Sequence, residues 1–167
     1  MSETKKRLTL EMVLAHREHI HSLDLWTYSK IELPALEALS GLKRYLNLSG
    51  LTALTEAAAE VLSRHEGILE LRGLRSLSAP VAVSLSKMKG GLWLDGLVRL
   101  PIHTAQALTQ HRGDLYLRGL RRLSEPAAEA LSTHQGFLSL GGLKKLTMIA
   151  ARSLTKHPQC AMKDFRK

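Results

Sequence analysis

The chain has 167 residues, 44% of them apolar but only 4% aromatic, and its 24 Lys and Arg against 15 Asp and Glu give a formal net charge of +9. A core must then be built from leucine and alanine rather than large rings, and acidic partners are favoured over basic ones. The single cysteine, Cys160, excludes an intramolecular disulfide framework. No apolar run is long enough for a membrane span, and the basic start Lys5, Lys6, Arg7 is not followed by a signal-peptide core, so a soluble cytoplasmic protein is expected.

From Leu8 onward a register can be read. Thr9 suits a helix N-cap and starts a helix over Leu10 to Glu18 that covers the N-terminal end, with residues 8–21 as the capping segment. The next stretch, Ser22 to Arg44, is a degenerate unit: Leu23 and Leu25 keep the strand leucines, Tyr28 and Ile31 stand in leucine columns, and Thr27 replaces a glycine.

After it the sequence repeats every 23 residues without insertion or deletion. Leu46, Leu69, Leu92, Leu115 and Leu138 form one column, and Leu48, Leu71, Leu94, Leu117 and Leu140 another. Gly50, Gly73, Gly96, Gly119 and Gly142 follow two residues later, and three further leucine columns complete each unit. In Leu115-Tyr116-Leu117 the alternation points both leucines inward and Tyr116 outward, as in a short half-buried strand. Gly119 allows a sharp turn. Ser124 is placed to cap a helix whose first turn holds Glu125 and Pro126, with Thr55, Ser78 and Thr147 in the same column. Ala127, Ala128 and Leu131 then face inward, and Gly136 is expected to end the helix in a left-handed conformation, as are Gly67, Gly90 and Gly113.

A fixed register of this length implies a stack of identical strand-turn-helix elements. The expectation is an α/β solenoid with a parallel strand ladder on one side and helices on the other, right-handed because helical crossovers join parallel strands. Residues 1–167 form one domain, with six repeats over 22–159 and a C-terminal tail over 160–167. The LxLxGLxxL runs, such as Leu69 to Leu77 and Leu115 to Leu123, resemble the leucine-rich repeat family over roughly Leu23 to His157. Leu51, Leu74, Leu97, Leu120 and Leu143 replace the family's usual asparagine, and Glu66, Lys89, Arg112 and Gln135 stand where a leucine is expected. The resemblance is therefore to a non-standard, bacterial-type variant whose turns are satisfied by backbone or water, and it implies a protein-interaction module.

Equivalent positions can be read as columns. Asp24, Asn47, Glu70, Trp93, Tyr116 and Ser139 project from the strands, followed by Trp26, Ser49, Arg72, Asp95, Arg118 and Gly141. Trp93 and Tyr116 should be neighbours flanked by Arg72, Asp95 and Arg118, an aromatic and arginine grouping typical of binding hot spots. They could instead pair across strands only to stiffen them. The candidate partner surface is thus Trp26, Asn47, Glu70, Arg72, Trp93, Asp95, Tyr116 and Arg118. After the glycine turn, Lys30, Arg75, Arg99, Arg121, Arg122, Lys144 and Lys145 line one edge without an acid. That basic ridge is a solubilising rim, or a seat for a phosphate backbone or an acidic protein segment.

His19, His65, His111, His134 and His157 share a column with Leu42 and Met88, so the position accepts apolar side chains and is read as packing near helix ends rather than as a metal ladder. His16, His19 and His21 with Glu18 are a second conceivable ligand set, set aside because their helix is terminal and solvated. No phosphate loop, dinucleotide fingerprint, HExxH or GxSxG is present. Glu60 and Glu129 fall on helix surfaces, and Cys160 is a capping residue or an incidental thiol rather than a nucleophile. The sequence thus calls for no catalytic residue, metal or cofactor. It points to a non-catalytic scaffold that binds a protein, acidic by charge, through the strand face. Nucleic-acid or polyanion binding through the ridge is the alternative, and a membrane is not expected.

Overall fold

Leucines spaced two apart at the start of each unit can all be buried only if successive units lie side by side, and the computed structural model, which describes residues 6–16, 19, 24–43 and 45–162, arranges them so. Strands β3 (Leu46–Asn47), β4 (Leu69–Glu70), β5 (Leu92–Trp93), β6 (Leu115–Tyr116), β7 (Leu138–Ser139) and β8 (Cys160–Ala161) form one parallel sheet in chain order. Leu46 pairs with Leu69, Leu69 with Leu92, Leu92 with Leu115 and Leu115 with Leu138. Each rung donates to the next, as from Leu92 N to Asp114 O and Leu94 N to Tyr116 O, both at 2.8 Å.

Helices α1 (Leu10–Ala15), α2 (Leu33–Ser40), α3 (Glu56–Leu62), α4 (Ala79–Ser86), α5 (Ile102–Leu108), α6 (Glu125–Leu131) and α7 (Met148–Leu154) each pack against the next. Ala127, Ala128 and Leu131 are fully buried beneath α6, where the small alanines bring the helix close to the leucine layer. Thr9, Thr55, Ser78 and Thr147 cap their helices by accepting from the amide three residues on. Ser124 takes the cap backbone conformation, but its hydroxyl makes no cap bond. The molecule is thus a repeat α/β fold. Among the described residues, no helix is long and apolar enough to cross a membrane.

The glycines have a different cause from the one expected. Among the described residues none has positive φ, so Gly67, Gly90, Gly113 and Gly136 are not left-handed caps, and the preceding helices end in right-handed residues, Ser63, Lys87, Thr109 and Ser132. A Cβ at Gly113 or Gly136 would overlap the carbonyl of the glycine one unit earlier. The turn glycines behave alike: a Cβ at Gly96, Gly119 or Gly142 would strike the Arg72, Asp95 or Arg118 carbonyl. They set how closely units stack rather than how sharply the chain turns. In place of the missing asparagine, the backbone closes each turn, with Leu74 N donating to Leu71 O and Leu120 N to Leu117 O, both at 3.2 Å.

The two ends depart from the regular register. Leu25–Thr27 is a 3-10 turn and not a strand. Thr27 occupies the glycine column and turns its hydroxyl back to the Asp24 carbonyl at 2.7 Å, so Trp26 lies outside the ladder. A separate two-stranded sheet instead joins β1 (Arg7–Leu8) to β2 (Lys30–Ile31). Helix α1 stops at Ala15, with His16 as its C-cap. At the other end, Cys160, assigned from sequence to the tail, pairs with Leu138 and extends the sheet. Glu18, His21, Leu23, Arg44 and residues 163–167 lie outside the described residues.

Candidate functional site

Alternation sends every second side chain of the ladder away from the leucines, and the register places those chains side by side. Asn47 pairs with Glu70, Glu70 with Trp93, Trp93 with Tyr116 and Tyr116 with Ser139. The Trp93 and Tyr116 rings lie 5.0 Å apart between centroids. Two aromatic residues that sequence reasoning missed extend this pair: Phe137 lies 5.6 Å from Tyr116, and Tyr45 packs edge-on to Trp93 at 6.2 Å. Tyr45, Ile68, Gly91, Asp114 and Phe137 form a column one position before the strands, so a signal was present at the same 23-residue spacing. Gly91 leaves a notch there, walled by Ile68, Asp114 and the Trp93 indole nitrogen.

The charged residues among these rings are paired with one another. Arg118 holds Asp95 through its backbone N–H at 2.8 Å, its Nε at 3.0 Å and its Nη2 at 2.8 Å. The carboxylate raises the guanidinium pKa still further. Arg72 Nε lies 2.6 Å from Glu70 and 3.7 Å from Asp95. Both guanidiniums also face the rings, Arg72 at 5.0 Å from the Trp93 centroid and Arg118 at 5.4 Å from that of Tyr116. Such contacts hold flat groups in fixed orientations. Glu70 is only 3% exposed, covered by Arg72, Ser49 and the Tyr45 hydroxyl that donates to it. Desolvation and then that hydrogen bond push the Tyr45 phenol up to about 12. A buried acid is tolerated here because its lone pairs are satisfied.

The expected surface is therefore assembled in part. Asn47, Glu70, Arg72, Trp93, Asp95, Tyr116 and Arg118 come together, although Glu70 supports the others from below and Asn47 bonds the Ser49 amide at 3.0 Å. Trp26 is 55% exposed and stands in the 3-10 turn.

No family model matches the chain, and no curated protein matches it significantly.

The other expected sites sort differently. The ridge residues Lys30, Arg75, Arg99, Arg121, Arg122, Lys144 and Lys145 are all exposed. The histidine column is buried from His65 onward, where His65, His111, His134 and His157 are each 5% exposed or less, whereas His19 is exposed. The His111 and His134 rings are 6.2 Å apart and nearly parallel, and those of His134 and His157 are 5.9 Å apart. Among the described residues no group of three or more His, Cys, Asp or Glu side chains is placed to hold a metal ion. His65 contacts the Ser40 carbonyl at 3.3 Å, His134 the Gly113 carbonyl at 3.1 Å, and His157 Nδ1 accepts from the Gln159 N–H at 3.0 Å, one backbone partner each as expected, whereas neither ring nitrogen of His111 has a hydrogen-bond partner among the described residues. Burial, with His111 and His157 on either side, lowers His134 to about 4. Glu60 bonds Lys87 across neighbouring helices at 3.0 Å. Cys160 packs on the core, where burial pushes its thiol up to about 11.

Proposed function

We propose that this chain is a non-catalytic, leucine-rich-repeat-like scaffold, a right-handed solenoid that docks a protein partner against the side-chain face of its ladder. The observation that carries this reading is the continuous line Tyr45, Trp93, Tyr116, Phe137, whose neighbouring charges are already matched. Amphipathic rings held rigid by their neighbours lose little conformational entropy on binding, which is why aromatic and arginine clusters dominate interface energetics. Because Arg72 and Arg118 are occupied by Glu70 and Asp95, an acidic partner finds no free arginine among the described residues of this face. Its contact there is apolar and planar, with rim hydrogen bonds to Asn47 and the edges of the guanidiniums.

Replacing Trp93→Ala together with Tyr116→Ala tests the assignment in a co-purification followed by titration calorimetry with the recovered partner. Removing two such anchors is expected to weaken binding by about 2 kcal/mol or more for each, a loss of at least ~700-fold if the two add. Both rings lie outside the leucine core, so far-ultraviolet dichroism should be retained. Unchanged affinity in a folded double variant would remove this face from consideration.

A further inference from the structure

The edge of the stack that follows the glycine turns carries charge of one sign in a regular array. Arg75, Arg99, Arg121, Arg122, Lys144 and Lys145 occupy four successive rungs, and every one is exposed. Among the described residues none of the six forms an ion pair, in contrast to Arg72 and Arg118 a few residues away. Glu125, the acid nearest in sequence, pairs with none of them. Backbone bonds fix the turns that bear them: Val98 N donates to Arg75 O at 3.4 Å, Lys144 N donates to Arg121 O at 3.0 Å, and Arg122 bridges Lys145. Among the described residues no such bond joins the Val98 and Arg121 turns, and an open cleft of about 690 Å³ lies there, lined by Arg99, Arg121, Arg122 and Ser124.

We propose that this edge is a second binding surface, separate from the aromatic face, which takes the phosphate backbone of duplex nucleic acid without reading base sequence. Charge density favours that occupant. Four rungs ~4.8 Å apart place six cations along ~14 Å. Each strand of a duplex presents one charge per ~3.4 Å of axis, or about four phosphates over this length on the strand that faces the edge. An extended acidic peptide rises ~3.3 Å per residue and turns alternate side chains away, so it offers only about two carboxylates. The turn positions hold no aromatic side chain on which an unstacked base could lie, and no Asn or Gln to read an adenine edge.

Fluorescence anisotropy with the full chain and a labelled, mixed-sequence duplex of about 20 base pairs tests the proposal, starting at low salt and raising it. The expected slope of log K against log salt is about −5, and Arg99→Ala with Arg121→Ala and Arg122→Ala should make it shallower by about 2.7. Affinity at low salt should fall at least tenfold. Lys144→Gln with Lys145→Gln is a second variant, expected to shift the slope by about 1.8 in the same direction. Trp93→Ala with Tyr116→Ala should leave duplex binding unchanged, so failure here and failure of the aromatic face are distinguishable. The proposal is overturned by no binding at low salt, by a parental slope in both charge variants, by tighter binding of a single strand of equal length, or by poly-glutamate competing as well as duplex at equal charge.

Discussion

Gly141 and Gly142 are adjacent in the chain and sit in opposite environments, which makes them a direct probe of what the repeated glycines do. A Cβ on Gly141 meets nothing within 4 Å, whereas one on Gly142 would overlap the Arg118 carbonyl of the preceding unit. Neither has positive φ, so alanine is conformationally allowed at both. Gly141→Ala should therefore stabilise the protein by about 0.4–1 kcal/mol through the unfolded chain, and Gly142→Ala should destabilise it by more than ~1 kcal/mol. Urea denaturation of the two variants decides it, and equal effects would contradict the stacking role. The glycine columns were legible in the sequence, but their reason was not. Left-handed caps and close approach of two backbones leave the same residue in the same place, and only the carbonyl of the neighbouring unit distinguishes them.

At the level of the element, the stacked histidines connect packing to pH. His134 is lowered from 6.5 to about 4, first by burial and then by His111 and His157, while the Gly113 carbonyl and Asp114 act in the opposite sense. His111 and His157 are lowered as well, chiefly by burial. A depressed histidine is preferred neutral in the fold, so its contribution is fully present above about 6.5. It is lost as pH falls toward 4, because the unfolded chain takes up the proton first. For His134 alone the loss is about 3 kcal/mol. Met88 and Leu42 show that the column accepts an apolar chain, so His134→Met should fold and should flatten the stability profile between pH 6.5 and 4 by about that amount. Chemical denaturation across this range tests it, and an unchanged profile in the variant would contradict it. The sequence indicated that this column packs, since Leu and Met share it. The depth of burial was not legible, because a ring near a helix end can face water or the next unit.

Across the whole molecule, what the sequence revealed follows from the exactness of its period. Five identical columns of leucine leave one arrangement in which all are buried, so the parallel sheet and the helix layer could be read directly. The ends could not, because each lacks a neighbour on one side. The Leu25–Thr27 segment, whose Thr27 stands in the glycine column, coils into a 3-10 turn instead of a strand. The last unit is a residue shorter, with Leu138 paired to Cys160, so a strict 23-residue shift misplaces its strand by one position. The aromatic line was half legible for a similar reason: Trp93 and Tyr116 lie on the strands, whereas Tyr45 and Phe137 enter from the residue before them and reach the same surface only once the rungs are in place.

The two faces differ in how their charges are paired. The ladder face is rigid, ring-bearing and internally neutralised, while the turn edge keeps its cations free. Hydroxyl-radical footprinting of the chain alone and with its co-purified partner tests the role of the ladder face most directly, since it reads side-chain exposure residue by residue. Tyr45, Trp93, Tyr116 and Phe137 should all lose oxidation on binding, while Met148, 80% exposed on the far helix layer, should not change. Protection of Met148 and the helix layer with undiminished oxidation of the four rings would contradict the assignment of this face.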